Sequence, residues 1–331
     1  MLFTAGKTGT ACWTAKCNKD QADAKRKSIA KQAMLFLIER IPMERYILHQ
    51  EIRQDKKRRL AFDRLAQKTF GISFENWHQA GYWQGNYRPY TLFDGEKAVC
   101  NVSVNPMTFC LNGEEKRYIQ LGTVMTDEAY RKQGLCCSLM ETVLEEWIGK
   151  CDGIYLIANH TVLDFYPKFG FSRFSEYQQI FPVTPKNIQQ RKLDLQNNED
   201  LSLLKRLYDQ ANPFSILQGR ENFSLLMFYC MGPCRDSISY LPELDLAVIT
   251  ETEGSVLHCL EILGKQNGSL AEILGAVAPE GVTTAVLGFS LGEAAGGELQ
   301  QIGDDDALFW LSGIPCPFAA QKMMFPLLTH A

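Results

Sequence analysis

Residues 116–140, KRYIQLGTVMTDEAYRKQGLCCSLM, run a strand pattern through a polar turn and a glycine directly into an amphipathic helix. Ile119, Leu121, Thr123 and Met125 alternate with Gln120, Gly122, Val124 and Thr126, the period of two expected of a strand. Thr126-Asp127-Glu128 breaks that pattern. From Leu135 the apolar residues Leu139, Met140, Val143, Leu144 and Trp147 recur at three- and four-residue steps, which predicts a helix beginning near Lys132 or Gln133. Its first turn is bare of bulk. Unpaired N–H groups there, backed by the positive end of the helix dipole, can accept a pyrophosphate, and Gly134 lets it come close.

The segment Arg131-Lys132-Gln133-Gly134-Leu135-Cys136 resembles the R/Q-x-x-G-x-G/A signature of the GNAT N-acetyltransferases, in which this loop and helix hold the pyrophosphate of acetyl-CoA. Cys136 stands where the family usually has a second Gly or Ala. Gly153 to Ala158 reads as a short buried strand. The segment after it, Asn159 to Phe171, resembles the family's N-x-x-A-x-x-(L/F)-Y-x-K-x-G-F. Asn159, Tyr166, Lys168, Gly170 and Phe171 match, and Val162 replaces Ala. The resemblance covers residues 43–185 and is to the two-domain bacterial type. It implies an α+β GNAT fold with a mixed, mostly antiparallel sheet and acetyl-CoA as co-substrate. It also implies a cofactor site made of Val124, Met125, Thr126, Arg131, Lys132, Gln133, Gly134, Leu135, Cys136, Asn159 and Tyr166. In the family, the strands at 120–126 and 153–158 splay apart to admit the pantetheine arm; Gly122 could mark the bulge that opens them.

A chain of 331 residues has room for two ordinary domains, and 46% apolar with 22% charged residues is globular composition. A formal charge of −4 argues against a general nucleic-acid binder. No run of eighteen apolar residues suggests a membrane span, and the first twenty residues lack a signal-peptide core, so a cytoplasmic protein is expected. The eleven cysteines are scattered and odd in number, which reads as reduced thiols. Cys12 with Cys17, and Cys230 with Cys234 near His258 and Cys259, lack C-x-x-C spacing, so no metal is expected. Cys136, at a helix start, is either a reactive thiolate or a small packing residue.

Residues 1–42 read as a loosely held basic extension, and Met43 as an alternative start. Gly6-Lys7-Thr8-Gly9-Thr10 completes neither a P-loop nor, with Ser28-Ile29-Ala30-Lys31 downstream of it, a penicillin-binding pattern. Residues 43–188 form the acetyltransferase-like unit. It opens with a helix carrying Leu60, Phe62, Leu65 and Phe70. The aromatic stretch 70–90 follows, in which Phe74, Trp77, Tyr82 and Trp83 either line an amine pocket or are core. Pro89 to Asn105 reads as two strands joined at Asp94-Gly95, and a third strand from Thr108 turns at Asn112-Gly113. Pro182 and Pro185 lead into a second α+β unit, residues 189–331. Helices are expected at 201–208, 217–229 and 270–276, and strands at 244–250, 256–263 and 283–289. That order imitates the first unit without its phosphate loop, so a degenerate GNAT-like domain is expected; the alternative is an unrelated α+β lid. Asp304 to Asp306 reads as a solvated loop.

An amine with a pKa near 10.4 must lose a proton before it attacks a thioester, and the departing thiolate must regain one. The N–H near Val124 is placed to polarise the thioester carbonyl. Tyr166, by resemblance, is the general acid. Residues 117–125 contain no acid, so the base is a water chain ordered by Gln120, or Glu75 or His160 acting through water. The reading is an acetyl-CoA-dependent N-acetyltransferase acting on a primary amine of a small molecule or peptide. The alternative is a sensor that binds acyl-CoA without turnover. The second unit would wall the acceptor cleft or form a homo-oligomer interface.

Overall fold

This computed structural model describes residues 45–292, 296–303 and 306–331. The expectations for residues 1–42, Met43 and Asp304-Asp305 lie outside them. In chain order, β1 (Ile47–His49), α1 (Lys56–Phe70) and α2 (Glu75–Gln79) lead into β2 (Arg88–Asp94), β3 (Lys97–Leu111), β4 (Glu114–Thr126), α3 (Leu135–Trp147), β5 (Gly153–Asn159), β6 (Phe171–Phe174) and β7 (Tyr177–Pro182). Then follow β8 (Arg191–Lys192), α4 (Asn198–Tyr208), β9 (Leu217–Arg220), α5 (Phe223–Met231), β10 (Ile238–Leu241), β11 (Leu246–Glu253), β12 (Val256–Gly264), α6 (Leu270–Val277), β13 (Thr284–Leu287), β14 (Glu298–Gln301) and β15 (Asp306–Leu311).

These strands make two sheets of the same design. The first runs β1-β2-β3-β4-β5-β15-β6, with β9 added along β3; the second runs β8-β10-β11-β12-β13-β7-β14. Each contains one parallel pair, β4 with β5 and β12 with β13, bridged by α3 and α6; the other pairs are antiparallel. The α+β class and the mixed, mostly antiparallel sheet are therefore as expected. The partition at 188/189 is not how the strands divide. β15, from the second half, lies between β5 and β6, while β7, from the first half, lies between β13 and β14. Composition shows why β15 is an interior strand: Ala307 to Leu311 are all buried, as apolar residues are when both faces and both edges are covered.

Local physics sets the other departures from the sequence reading. α3 begins at Leu135, not near Lys132, because Gly134 at φ 74° is its N-cap. β3 runs unbroken through Pro106, merging two expected strands. Proline is tolerated because that edge has no neighbour there: β2 ends opposite Val104 and β9 begins opposite Thr108. Leu217 to Arg220, expected as helix, is β9, and Gly219 leaves room for Thr329, whose Cγ2 would lie 2.7 Å from an added Cβ.

The first sheet has a core on each face. On one, Leu139, Met140 and Val143 of α3 pack on Ile119, Leu121, Ile154 and Leu156, each such burial contributing roughly 1.5–3 kcal/mol. The other face is covered by Phe62, Phe74, Trp77, Trp83 and Tyr87 at one end and by Met323, Phe325 and Ala331 at the other. The last segment is pinned by both sheets: Phe325 N–H donates to Glu176 Oε1 at 2.7 Å, Met324 N–H to Ser290 Oγ at 2.8 Å, and Leu327 N–H to the Gly288 carbonyl at 2.8 Å.

Candidate functional site

Three features converge at the C-terminal end of β4. The first is the start of α3. Lys132 at φ 60° and Gly134 at φ 74° turn the chain sharply into the helix, and among the described residues its N-cap makes no side-chain capping bond. The first-turn amides thus have neither an intrahelical partner nor a side-chain one. Gln133 is fixed from both ends, its Oε1 accepting from Tyr46 Oη at 2.9 Å and its Nε2 donating to the Ala129 carbonyl at 3.3 Å. Arg131 is exposed, with its Nε 3.3 Å from the Thr126 carbonyl. Leu135 is buried in the core beneath.

The second is the splay. β4 and β5 are paired only at Tyr118 to Gln120 against Gly153 to Tyr155; beyond that the strands part, leaving an edge with unused hydrogen-bonding groups. The third is a bulge in β4. Asn101 pairs with Met125 and Ser103 with Gly122, so Thr123 and Val124 together face the single residue Val102. The bulge foreseen at Gly122 falls one residue later, with Thr123 at φ 47°. Gly122 is required for another reason: a Cβ there would stand 2.0 Å from the carbonyl oxygen of Ala331. Met125 is buried in the aromatic cluster, and Thr126 Oγ1 lies 3.2 Å from Cys100 Sγ.

Tyr166 opens a short 3-10 turn after β5 and is buried among Phe165, Phe171 and Phe309. Phe309 belongs to β15, so the strand contributed by the second half helps bury Tyr166. Burial, with Cys136 adding to it, pushes the Tyr166 phenol well up. The contact with Cys100 and burial drive the Cys136 thiol up, which favours the packing reading, while the same contact moves Cys100 down. Asn159 ends β5 as a cap, its Oδ1 accepting from Thr161 N–H at 2.9 Å.

The residues read as bases are dispersed. Arg59 grips Glu75 at 2.9 and 3.2 Å, Gln79 adds a bond of 2.6 Å, and the Arg59 contact above all draws this carboxyl down to about 2. A carboxylate so held cannot usefully take a proton from an ammonium group. His160 is exposed beyond the end of β5. Gln120 is buried on β4 beside Tyr155, and its Oε1 has no partner among the described residues. The aromatic stretch is core: Phe74, Trp77, Trp83 and Tyr87 are buried, and Trp77 Nε1 donates to the Ser224 carbonyl at 2.6 Å. Sequence reading missed Ala331, Asn101 and Tyr87 at this site, since nothing local ties them to residue 123.

Among the described residues, no group of three His, Cys, Asp or Glu side chains could hold a metal, and no helix is long and apolar enough to cross a membrane. Residues 54–174 match the family described as acetyltransferase (GNAT) domain. A probable N-acyltransferase from Enterococcus faecalis is similar at 14% identity and a TM-score of 0.55, over 80% of this chain and 72% of that one. A GCN5-related N-acetyltransferase from Anabaena variabilis is similar at 13% identity and a TM-score of 0.51, over 84% and 75%. At such identities the likeness speaks for the fold. No curated protein matches the chain.

Proposed function

Because residues 54–174 form an acetyltransferase (GNAT) domain, we propose that this chain transfers the acetyl group of acetyl-CoA to a primary amine. The observation that carries the reading is the conjunction of an uncapped α3 with a splayed β4 and β5 and a bulge between them. The pyrophosphate would rest on the first-turn amides of α3, with Arg131 beside it. The pantetheine arm would lie along the open strand edge. The Val124 N–H, in the bulge, would polarise the thioester carbonyl. Holding amine and thioester together can lower the barrier by roughly 7–11 kcal/mol, so a strong base is not obligatory.

Tyr166 would return the proton to the departing thiolate. Burial raises its pKa, and a thiolate leaving beside it would be desolvated and raised as well, which narrows the gap between donor and acceptor. For the base, the dispersal of Glu75 and His160 leaves a water chain beside Gln120, whose buried Oε1 has no partner among the described residues.

CoA release measured with a panel of small amines and peptides tests the reading. Turnover is expected with at least one of them. Tyr166→Phe is expected to lower kcat roughly 10- to 1,000-fold with acetyl-CoA binding unchanged. Tight acetyl-CoA binding with no turnover on any amine would contradict transfer and favour the sensor. Full kcat in the Tyr166 variant would assign the proton to another donor.

A further inference from the structure

Among the described residues Thr123 is the one β-branched residue at positive φ, 47°, a conformation that its crowded Cβ disfavours and that persists only where surroundings impose it. A buried polar network does so. Asn101 Nδ2 donates to the Thr123 carbonyl at 2.9 Å and to Ser103 Oγ at 2.9 Å, while Asn101 Oδ1 accepts from Thr91 Oγ1 at 2.7 Å. The Tyr87 hydroxyl lies 2.8 Å from Thr123 Oγ1 and accepts from Ser103 Oγ at 3.0 Å. Thr91, Asn101 and Ser103 are wholly buried and Tyr87 nearly so.

The network joins β2, β3 and the loop before β2 to the first of the two bulged residues of β4, gripping Thr123 by main chain and side chain at once. A buried network with every member bonded is rigid, and it is costly to break at any one member. We infer that Asn101 and Tyr87 are positioning residues for acetyl transfer: they hold the Thr123–Val124 bulge in the conformation that leaves Val124 without a ladder partner. This rests on the reading of Val124 as the group that polarises the thioester. Neither residue touches the start of α3, so cofactor affinity should not depend on them. The aromatic cluster that carries Tyr87 thereby acquires a role beyond packing.

The test uses Tyr87→Phe, which keeps the ring, and Thr123→Gly, which lets the chain take positive φ without support. Tyr87→Phe alone should lower kcat about tenfold or more, with the acetyl-CoA Kd unchanged by calorimetry. In the Thr123→Gly background, the same substitution should change kcat by less than about threefold, because glycine takes positive φ without the strain the network opposes and no longer offers Tyr87 a hydroxyl. Full kcat in Tyr87→Phe overturns the inference, as does a tenfold loss in both backgrounds. If the parent chain turns over no amine, the proposed activity falls and melting decides this point by itself. Tyr87→Phe must then destabilise less with Thr123→Gly than without it, and equal losses overturn the positioning role.

Discussion

α3 and α6 occupy the same place in their two sheets, each bridging the single parallel pair, and they differ in what fills the first turn. Gly134 precedes α3 and offers no side chain, so the helix start is open to an anion. Ser269 precedes α6, its Oγ accepting from Glu272 N–H at 3.3 Å while Glu272 Oε2 accepts from Ser269 N–H at 2.9 Å. That reciprocal cap occupies the Glu272 and Ser269 amides from within and adds a carboxylate where a phosphate would need to come. The strand gaps differ likewise. β4 and β5 part after three paired positions, whereas beside β13 the Gly288 carbonyl already accepts from Leu327 N–H. The two helix starts and strand gaps thus differ in how far the chain's own groups occupy its backbone donors and acceptors. We read the second sheet as a GNAT-like twin whose ligand places are filled by its own residues.

The largest effect should come from cutting the twins apart. Fragments divided at 188/189 each lack an interior strand, so neither should show cooperative unfolding alone, and mixing them should restore it. Independent folding of either fragment would mean that the exchange of β7 and β15 is dispensable. A smaller effect concerns Glu176, where the chain crosses from one sheet to the other. Burial lifts its carboxyl to about 7, above the roughly 4.3 of an unfolded chain. An acid raised in the folded state stabilises while protonated. That contribution is complete below about pH 4.3 and lost as pH rises through about 7, roughly 4 kcal/mol in all. Glu176→Gln should make urea stability fall less between pH 5 and 8, the remaining fall belonging to Glu261, also raised to about 7, against the opposite slope of His330, whose imidazole burial holds down at about 4. Superimposable profiles would remove Glu176 from the account.

The smallest effects set the two helix starts side by side. Gly134→Val should raise the acetyl-CoA KM about tenfold or more and leave the amine KM nearly unchanged, since the added side chain stands where the phosphate approaches. Ser269→Ala should cost about 1 kcal/mol of stability and leave both KM values alone. An acetyl-CoA KM that responds to the second change and not the first would invert the assignment.

The sequence reading succeeded where the information is local. The alternation at 119–122 and the helical spacing after Leu135 each lie within one element, so pattern alone exposes them; past the bulge the alternation fails, and Met125 packs with Phe62 and Trp77 on the face opposite Ile119 and Leu121. It failed where partners are distant in the chain. Ala307 to Leu311 announces a buried strand, but nothing in those residues says that its neighbours are β5 and β6. Gly122 looked like a bulge glycine, although its small size answers to Ala331. Trp77 and Trp83 lie in a stretch rich in loop residues, and only packing against Phe62 and Phe228 makes them core.

The central contrast, one open twin and one filled, is tested most directly by counting bound cofactor. Equilibrium titration of the whole chain with acetyl-CoA should reach one molecule per chain, with that site weakened in Gly134→Val and untouched in Ser269→Ala. Two equal sites per chain, or one site indifferent to Gly134→Val, would contradict it.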